Sequence, residues 1–193
     1  GGMALTNNSE WAEKMRMLRS HGITNDPEKM TEDSHGPWYY QQIALGFNYR
    51  MTDVEAALGL SQLSKLETFL EKRNVLANYY DKLFSDYSGI TPLQQNSKIY
   101  SSYHLYVVRI DSLTNQQHAT LVANLRESGV FAHVHYIPIH MQPFYISLGF
   151  KIGDFPNAEK YYQQAVTLPL FPDLKEDEVE HIVALFVDIV NKL

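Results

Sequence analysis

Gly46-Phe47-Asn48-Tyr49-Arg50-Met51-Thr52-Asp53-Val54-Glu55-Ala56-Ala57-Leu58-Gly59 reads as a polar loop that turns at once into a helix. Thr52 and Glu55 stand at the Thr-x-x-Glu spacing of a capping box, in which each side chain satisfies an unpaired backbone N–H of the first turn. The cap sets where the helix begins, and so where the amide of Asn48 and the guanidinium of Arg50 are delivered. Residues held this way on a loop are placed for a ligand more often than for packing. A plain surface loop with a good helix start carries the same pattern, because caps are common.

Downstream, Leu58, Leu63, Leu66, Leu70, Leu76, Tyr79, Tyr80 and Leu83 continue at helical spacing, with a drift near 70–74 that predicts a kink or a change of partner. The segment 53–88 therefore reads as one long helix connecting two domains. Upstream, residues 3–6 read as a short strand. Asn7-Asn8-Ser9 then caps a helix carrying Trp11, Met15 and Leu18, which ends at His21-Gly22. His21 there has the ordinary place of a cation near a helix C-terminus. Residues 23–47 lack periodicity and hold two turn signals, Asn25-Asp26-Pro27 and His35-Gly36-Pro37. Trp38, Tyr39 and Tyr40 argue against plain disorder, so an active-site or dimer-facing loop is expected.

Past Ser88-Gly89, residues 94–102 form a polar loop and a second unit begins. Residues 104–110 are β-rich. Thr114 with Gln117 opens a helix bearing Leu121, Val122 and Leu125, closed by Gly129. Residues 130–136 and 166–170 read as further strands, separated by a helix from Asn157 through Tyr161 and Tyr162. Val179, Ile182, Val183, Phe186, Val187 and Val190 make the apolar stripe of a last helix. Strands alternating with helices predict an α/β fold with a small sheet covered on one face. The expected organisation is 1–52, a connecting helix over 53–88, and a small domain over 89–193.

Composition narrows the function classes. The chain has 193 residues, 45% hydrophobic and 20% charged, enough for a buried core. A formal charge of −6 with dispersed basic residues excludes an electrostatic footprint for nucleic acid or anionic membrane. The absence of cysteine excludes disulfides, thiolate catalysis and Cys-ligated metal, and fits a cytoplasmic location. No apolar stretch approaches the roughly 20 residues that span a bilayer.

The loop-and-cap string, with Gly1-Gly2-Met3-Ala4-Leu5-Thr6-Asn7, Leu18-Arg19-Ser20-His21-Gly22-Ile23 and Val134-His135-Tyr136-Ile137-Pro138-Ile139-His140, resembles the DegT/DnrJ/EryC1/StrS sugar aminotransferases. The four motifs run in the family's order along the whole chain. Gly36-Pro37-Trp38-Tyr39-Tyr40 leading into the loop is most similar to the pseudaminic-acid branch. The resemblance implies the C-terminal portion of a fold-type I pyridoxal-phosphate (PLP) enzyme: the end of the large domain plus a small α/β domain. It implies transfer of an amino group, from glutamate, to C4 of a UDP-linked 4-keto-6-deoxy sugar, in a homodimer with shared sites.

Such an enzyme needs a lysine to hold the imine, an acid at the pyridine nitrogen, and donors for the phosphate. In the family the lysine lies just before a Glu-Gly-Gly turn that Gly1-Gly2 would end, so it is expected upstream of Gly1. The ten lysines present stand in no comparable context. No catalytic residue is therefore expected within the chain. The resemblance gives Asn48 a role at the cofactor phosphate and substrate, in the neighbouring subunit's site, with Arg50 as a second anion contact. A neutral amide donates to phosphate without burying a charge.

His133, Val134, His135 and Tyr136 match the segment that contacts the nucleotide sugar in the family. On a strand, His133 and His135 would share a face. With His140 the same pattern also fits a His-ligated metal site, although no adjacent carboxylate completes a facial triad and Asp154 is the nearest acid downstream. His104-Leu105-Tyr106 and Leu168-Pro169-Leu170-Phe171-Pro172 match the family as packing elements. A nucleotide-sugar-binding and dimerisation module without transamination remains the other alternative.

Overall fold

The computed structural model describes residues 2–96 and 98–193; the expectations at Gly1 and at Ser97 of the polar loop lie outside the described residues. The chain divides into two compact units, Gly1–Lys65 and Leu66–Leu193.

In the first unit, helix α1 (Ser9–Leu18) begins where the Asn8 side chain accepts the Trp11 N–H at 3.1 Å. Residues 3–6 do not form the expected strand. No described segment pairs with them, and Met3 and Leu5 stay exposed. A strand exists through its neighbour's hydrogen bonds, which a side-chain pattern cannot replace. The stretch 23–47 is more ordered than expected, because β1 (Ile23–Thr24) pairs antiparallel with β2 (Gln41–Gln42). Trp38, on the connection between them, is 74% exposed.

The long helix expected over 53–88 is two helices, α2 (Asp53–Leu63) and α3 (Leu66–Phe84). The break is local. The Ser64 hydroxyl donates to the Ser61 carbonyl at 2.8 Å, and Lys65 N–H reaches back only three residues, to Gln62. Serine competes in this way with the backbone ladder and favours helix ends. α2 is apolar along its length, yet buries no residue.

The second unit holds every buried apolar side chain of the described chain. Its sheet is antiparallel, in the order β3 (Ile90–Pro92), β4 (Tyr106–Ile110), β5 (Ala165–Leu168). Strand β3 was not foreseen: with three residues, one of them Pro92, it has no legible alternation. Tyr106, Val108 and Ile110 of β4, with Val166 and Leu168 of β5, join the core together with residues of α3, α4 (Asn115–Glu127) and α7 (Glu176–Asn191). Tyr80 stacks on Tyr106 at 4.5 Å, and Phe84 meets Phe186 edge-on at 5.6 Å. Val107, Arg109, Ala165 and Thr167 share the other face by register.

The Thr114–Gln117 capping box behaves as the spacing predicts. Thr114 and Gln117 cap α4 reciprocally, and Glu176, Asp177 and Glu178 oppose the positive end of α7. Residues 130–136 do not form the expected strand. Only His133 bridges the sheet edge, its N–H donating to Thr167 at 3.1 Å and its carbonyl accepting the Thr167 N–H at 2.7 Å. A 3₁₀ turn at Ile139–Met141, a short α5 (Pro143–Ser147) and α6 (Pro156–Gln164) follow.

Candidate functional site

The loop before α2 is built by backbone contact. Phe47 N–H donates to Leu18 at 2.8 Å, His21 N–H to Phe47 at 2.9 Å, and Tyr49 N–H to Arg19 at 2.8 Å. These bonds bridge Asn48 to Ser20. Such an approach leaves no room for side chains between the two passages. A Cβ on Gly46 would stand 2.4 Å from the Gly22 nitrogen, and one on Gly22 would stand 1.9 Å from the Ala44 carbonyl oxygen. Gly22 also holds φ +70°, which glycine adopts without penalty. It is thus a packing glycine as well as the end of a helical turn. Sequence reasoning missed Gly46 in this role, because its close neighbour Gly22 lies 24 residues away and no local pattern links the two.

The cap then fixes the far end of the loop. Glu55 Oε2 accepts from both the Thr52 N–H and the Thr52 hydroxyl at 2.9 Å, while Thr52 Oγ1 accepts the Glu55 N–H at 3.3 Å. The Thr52 backbone N–H, then its hydroxyl, hold the Glu55 carboxyl below its ordinary pKa. Between these two anchors Asn48 and Arg50 are exposed, and among the described residues their side chains make no recorded hydrogen bond. Phe47, Tyr49 and Arg50, with Arg16 and Arg19 of the α1 end, wall an open cavity of about 1110 Å³. Asn48 is not among its walls, so the amide and the guanidinium do not serve one cavity within this unit.

In the second unit, His133 and His135 come together as sequence reasoning expected, though without a strand to carry them. Their rings stack with centroids 4.5 Å apart, and Tyr136 meets the His135 ring edge-on at 4.5 Å. The His133 ring donates through Nδ1 to the Val134 carbonyl at 3.0 Å, and His135 Nδ1 shares a 2.9 Å hydrogen bond with Thr167 Oγ1. Partial burial, and then the neighbouring His133 and His104, lower the His135 pKa. Tyr136 is 69% exposed, and the His135–Tyr136 peptide is cis. The cluster thus lies at the surface, with His133 and Tyr136 exposed, on a segment pinned at Thr167.

His140 does not join it. It is buried, and its Nε2–H donates to Glu159 Oε1 at 2.8 Å, an oxygen that also accepts the Gly153 N–H at 2.7 Å. Both bonds hold the Glu159 carboxyl below the usual carboxylate range. Asp154 accepts the Lys151 N–H at 2.9 Å instead of facing the histidines. Among the described residues no three metal-ligating side chains converge, so the three-histidine metal site is not assembled. A full carboxylate partner has claimed the third ring. His104 is exposed, with its carbonyl turned toward the Arg73 guanidinium.

All ten lysines are exposed. Lys29 pairs with Glu13 and Asp26, and Lys72 lies 3.4 Å from Asp173.

The DegT/DnrJ/EryC1/StrS aminotransferase signature matches residues 1–187. The chain belongs to this family. Among curated DegT/DnrJ/EryC1/StrS relatives, the UDP-4-amino-4,6-dideoxy-N-acetyl-β-L-altrosamine transaminase of Helicobacter pylori is 33% identical over 94% of this chain and 46% of its own. The solved Helicobacter pylori PseC, an aminotransferase involved in pseudaminic acid biosynthesis, superposes with a TM-score of 0.85 at 31% identity, covering 97% of this chain and 48% of that one. The PLP form of Spr1654 from Streptococcus pneumoniae, described as a sugar aminotransferase, gives 0.85 at 28% identity, over 99% and 46%. The chain spans about half the length of the curated relatives it matches. The mixed α/β fold expected for the DegT/DnrJ/EryC1/StrS family is therefore the fold found.

The residues present fit part of what PLP requires. Two exposed donors on a backbone-pinned loop suit its phosphate, whereas no lysine stands in a pocket beside them. Among the described residues no helix is long and apolar enough to cross a membrane.

Proposed function

We propose that this chain forms the phosphate- and sugar-nucleotide-binding part of a PLP-dependent nucleotide-sugar aminotransferase. Its reaction is transfer of an amino group from glutamate to C4 of a UDP-linked 4-keto-6-deoxy sugar, in the pseudaminic-acid type of pathway that the solved Helicobacter pylori aminotransferase is described as serving. Bound PLP supplies the electron sink for exchanging amine and ketone. The chain's own residues bind and orient. Asn48 donates its amide to the cofactor phosphate, and Arg50 adds a cationic contact. His133, His135 and Tyr136 receive the nucleotide sugar, with the Val134 backbone as a further contact. The protein works as a homodimer in which the Asn48 loop completes the partner's site, and residues 1–52 belong to the cofactor domain while 89–193 form the small domain.

One observation carries this reading: the loop around Asn48 is locked by backbone bonds and a capping box, yet among the described residues its two donors make no side-chain hydrogen bond. A hydrogen bond to a charged group contributes about 1.5–3 kcal/mol, roughly ten- to a hundredfold in affinity. Asn48→Ala in the intact enzyme should weaken PLP retention by about that factor, read from visible absorbance on dialysis, with an unchanged far-UV circular dichroism spectrum. Unchanged retention and unchanged steady-state kinetics would overturn the assignment.

A further inference from the structure

The stacked imidazoles make a site whose charge is set by what it binds. The Val134 carbonyl at 3.0 Å keeps the His133 ring proton on Nδ1. A neutral His133 therefore carries a lone pair on Nε2, which repels an anion and donates nothing. His135 differs. Its Nδ1 faces the Thr167 hydroxyl, which can donate or accept, so the neutral ring can keep its proton on Nε2.

The rings lie 4.5 Å apart with the planes 27° from parallel, so two imidazolium charges would oppose each other while one is tolerated. Among the described residues no carboxylate is found acting on His135. His104 acts on His135 with the same sign, Tyr136 meets both rings edge-on, and Arg109 shares the sheet face of Thr167, with Tyr161 of α6 within reach of its charge. The stacked geometry thus opposes charging both rings at once, and partial burial with the neighbouring His133 and His104 holds the His135 pKa down.

Resting on the sugar-nucleotide role given to this segment, we infer that the diphosphate of the ligand is bound together with one proton, taken from solvent onto His133 Nε2. The proton converts that lone pair into an N–H donor to a phosphate oxygen, and the anion offsets the charge it creates. The stacked partner prevents a second uptake. Binding therefore tightens as pH falls through the imidazole range, and is proton-neutral once His133 is already charged.

Titration calorimetry counts the proton. UDP-N-acetylglucosamine is a suitable probe, because its diphosphate is esterified at both ends and keeps a constant charge. It is titrated into the intact protein near pH 7.5, in two buffers of different ionisation enthalpy. The heats should differ by the equivalent of about one proton per ligand, and Kd should rise roughly tenfold per pH unit above the imidazole range. His133→Asn, whose amide donates without titrating, should lose the uptake and flatten the pH profile. Binding with equal heats in both buffers would overturn this inference and leave the site intact. Uptake that survives in His133→Asn would remove it from this ring. No binding in either buffer would overturn the sugar-nucleotide assignment itself, and this inference with it.

Discussion

At the level of single residues, the Gly22–Gly46 contact and the His140–Glu159 pair make opposite demands. At Gly46 the neighbour of an added methyl would be backbone, which cannot swing aside. Overpacking of this kind costs about 1–3 kcal/mol. Gly46→Ala should lower the stability of the first unit by that order, seen as faster amide exchange at Phe47 and Tyr49. Glu159 carries a pH dependence. Its folded-state pKa lies below the ordinary value of 4.5, so the ionised form is preferentially stabilised by folding. That contribution is present above the unfolded value and is lost as pH falls through the lowered folded one. Melting of the second unit should fall on acidification from about pH 4.5 downward, and Glu159→Gln should remove that part of the slope. The carboxylate was invisible in the sequence. Nothing in Pro156-Asn157-Ala158-Glu159 says that its partner is nineteen residues upstream.

Among the elements, both Thr-x-x-Glu/Gln caps and the α7 stripe were legible because a helix is written within a few residues of itself. Strands were not. Residues 130–136 have the composition of one, but the edge of β5 accepts only His133, and the chain then turns away to stack two imidazoles. The same locality explains Ser64: its hydroxyl ends α2 in a stretch whose leucine spacing runs straight through. The two caps should differ in what they are worth. Thr114→Ala should cost the second unit about 1 kcal/mol in urea unfolding, since Leu121 and Leu125 tie α4 to the core. Thr52→Ala acts on a helix that buries nothing, so its loss should be confined to faster exchange in the first turn of α2. A comparable shift of the second unit's urea midpoint would contradict that distinction.

For the whole molecule, stability is unevenly held. The buried apolar side chains run from Leu76 onward, while the first unit is knit mainly by backbone hydrogen bonds and short pairings. Hydrogen-exchange protection follows buried contact density, so slow amides should cluster in α3, β4, α4, β5 and α7. Uniform protection across residues 2–193 would refute this. The α/β character of the second unit was legible in the sequence pattern, whereas the packing of α3 into its core was not, because the α3 face that completes the core is sewn in by distant partners. Tyr80 reaches the Pro169 carbonyl at 3.0 Å, and Arg73 reaches those of Tyr103 and Leu170 at 3.0 and 2.9 Å.

Both tryptophans, Trp11 and Trp38, belong to the first unit and are 64% and 74% exposed, whereas the packed half carries only tyrosine and phenylalanine rings. Indole emission is therefore blind to the core. A fluorescence melt excited for tryptophan alone would report the loosening of the loosely held half, and would pass over the collapse of the half that keeps the protein folded.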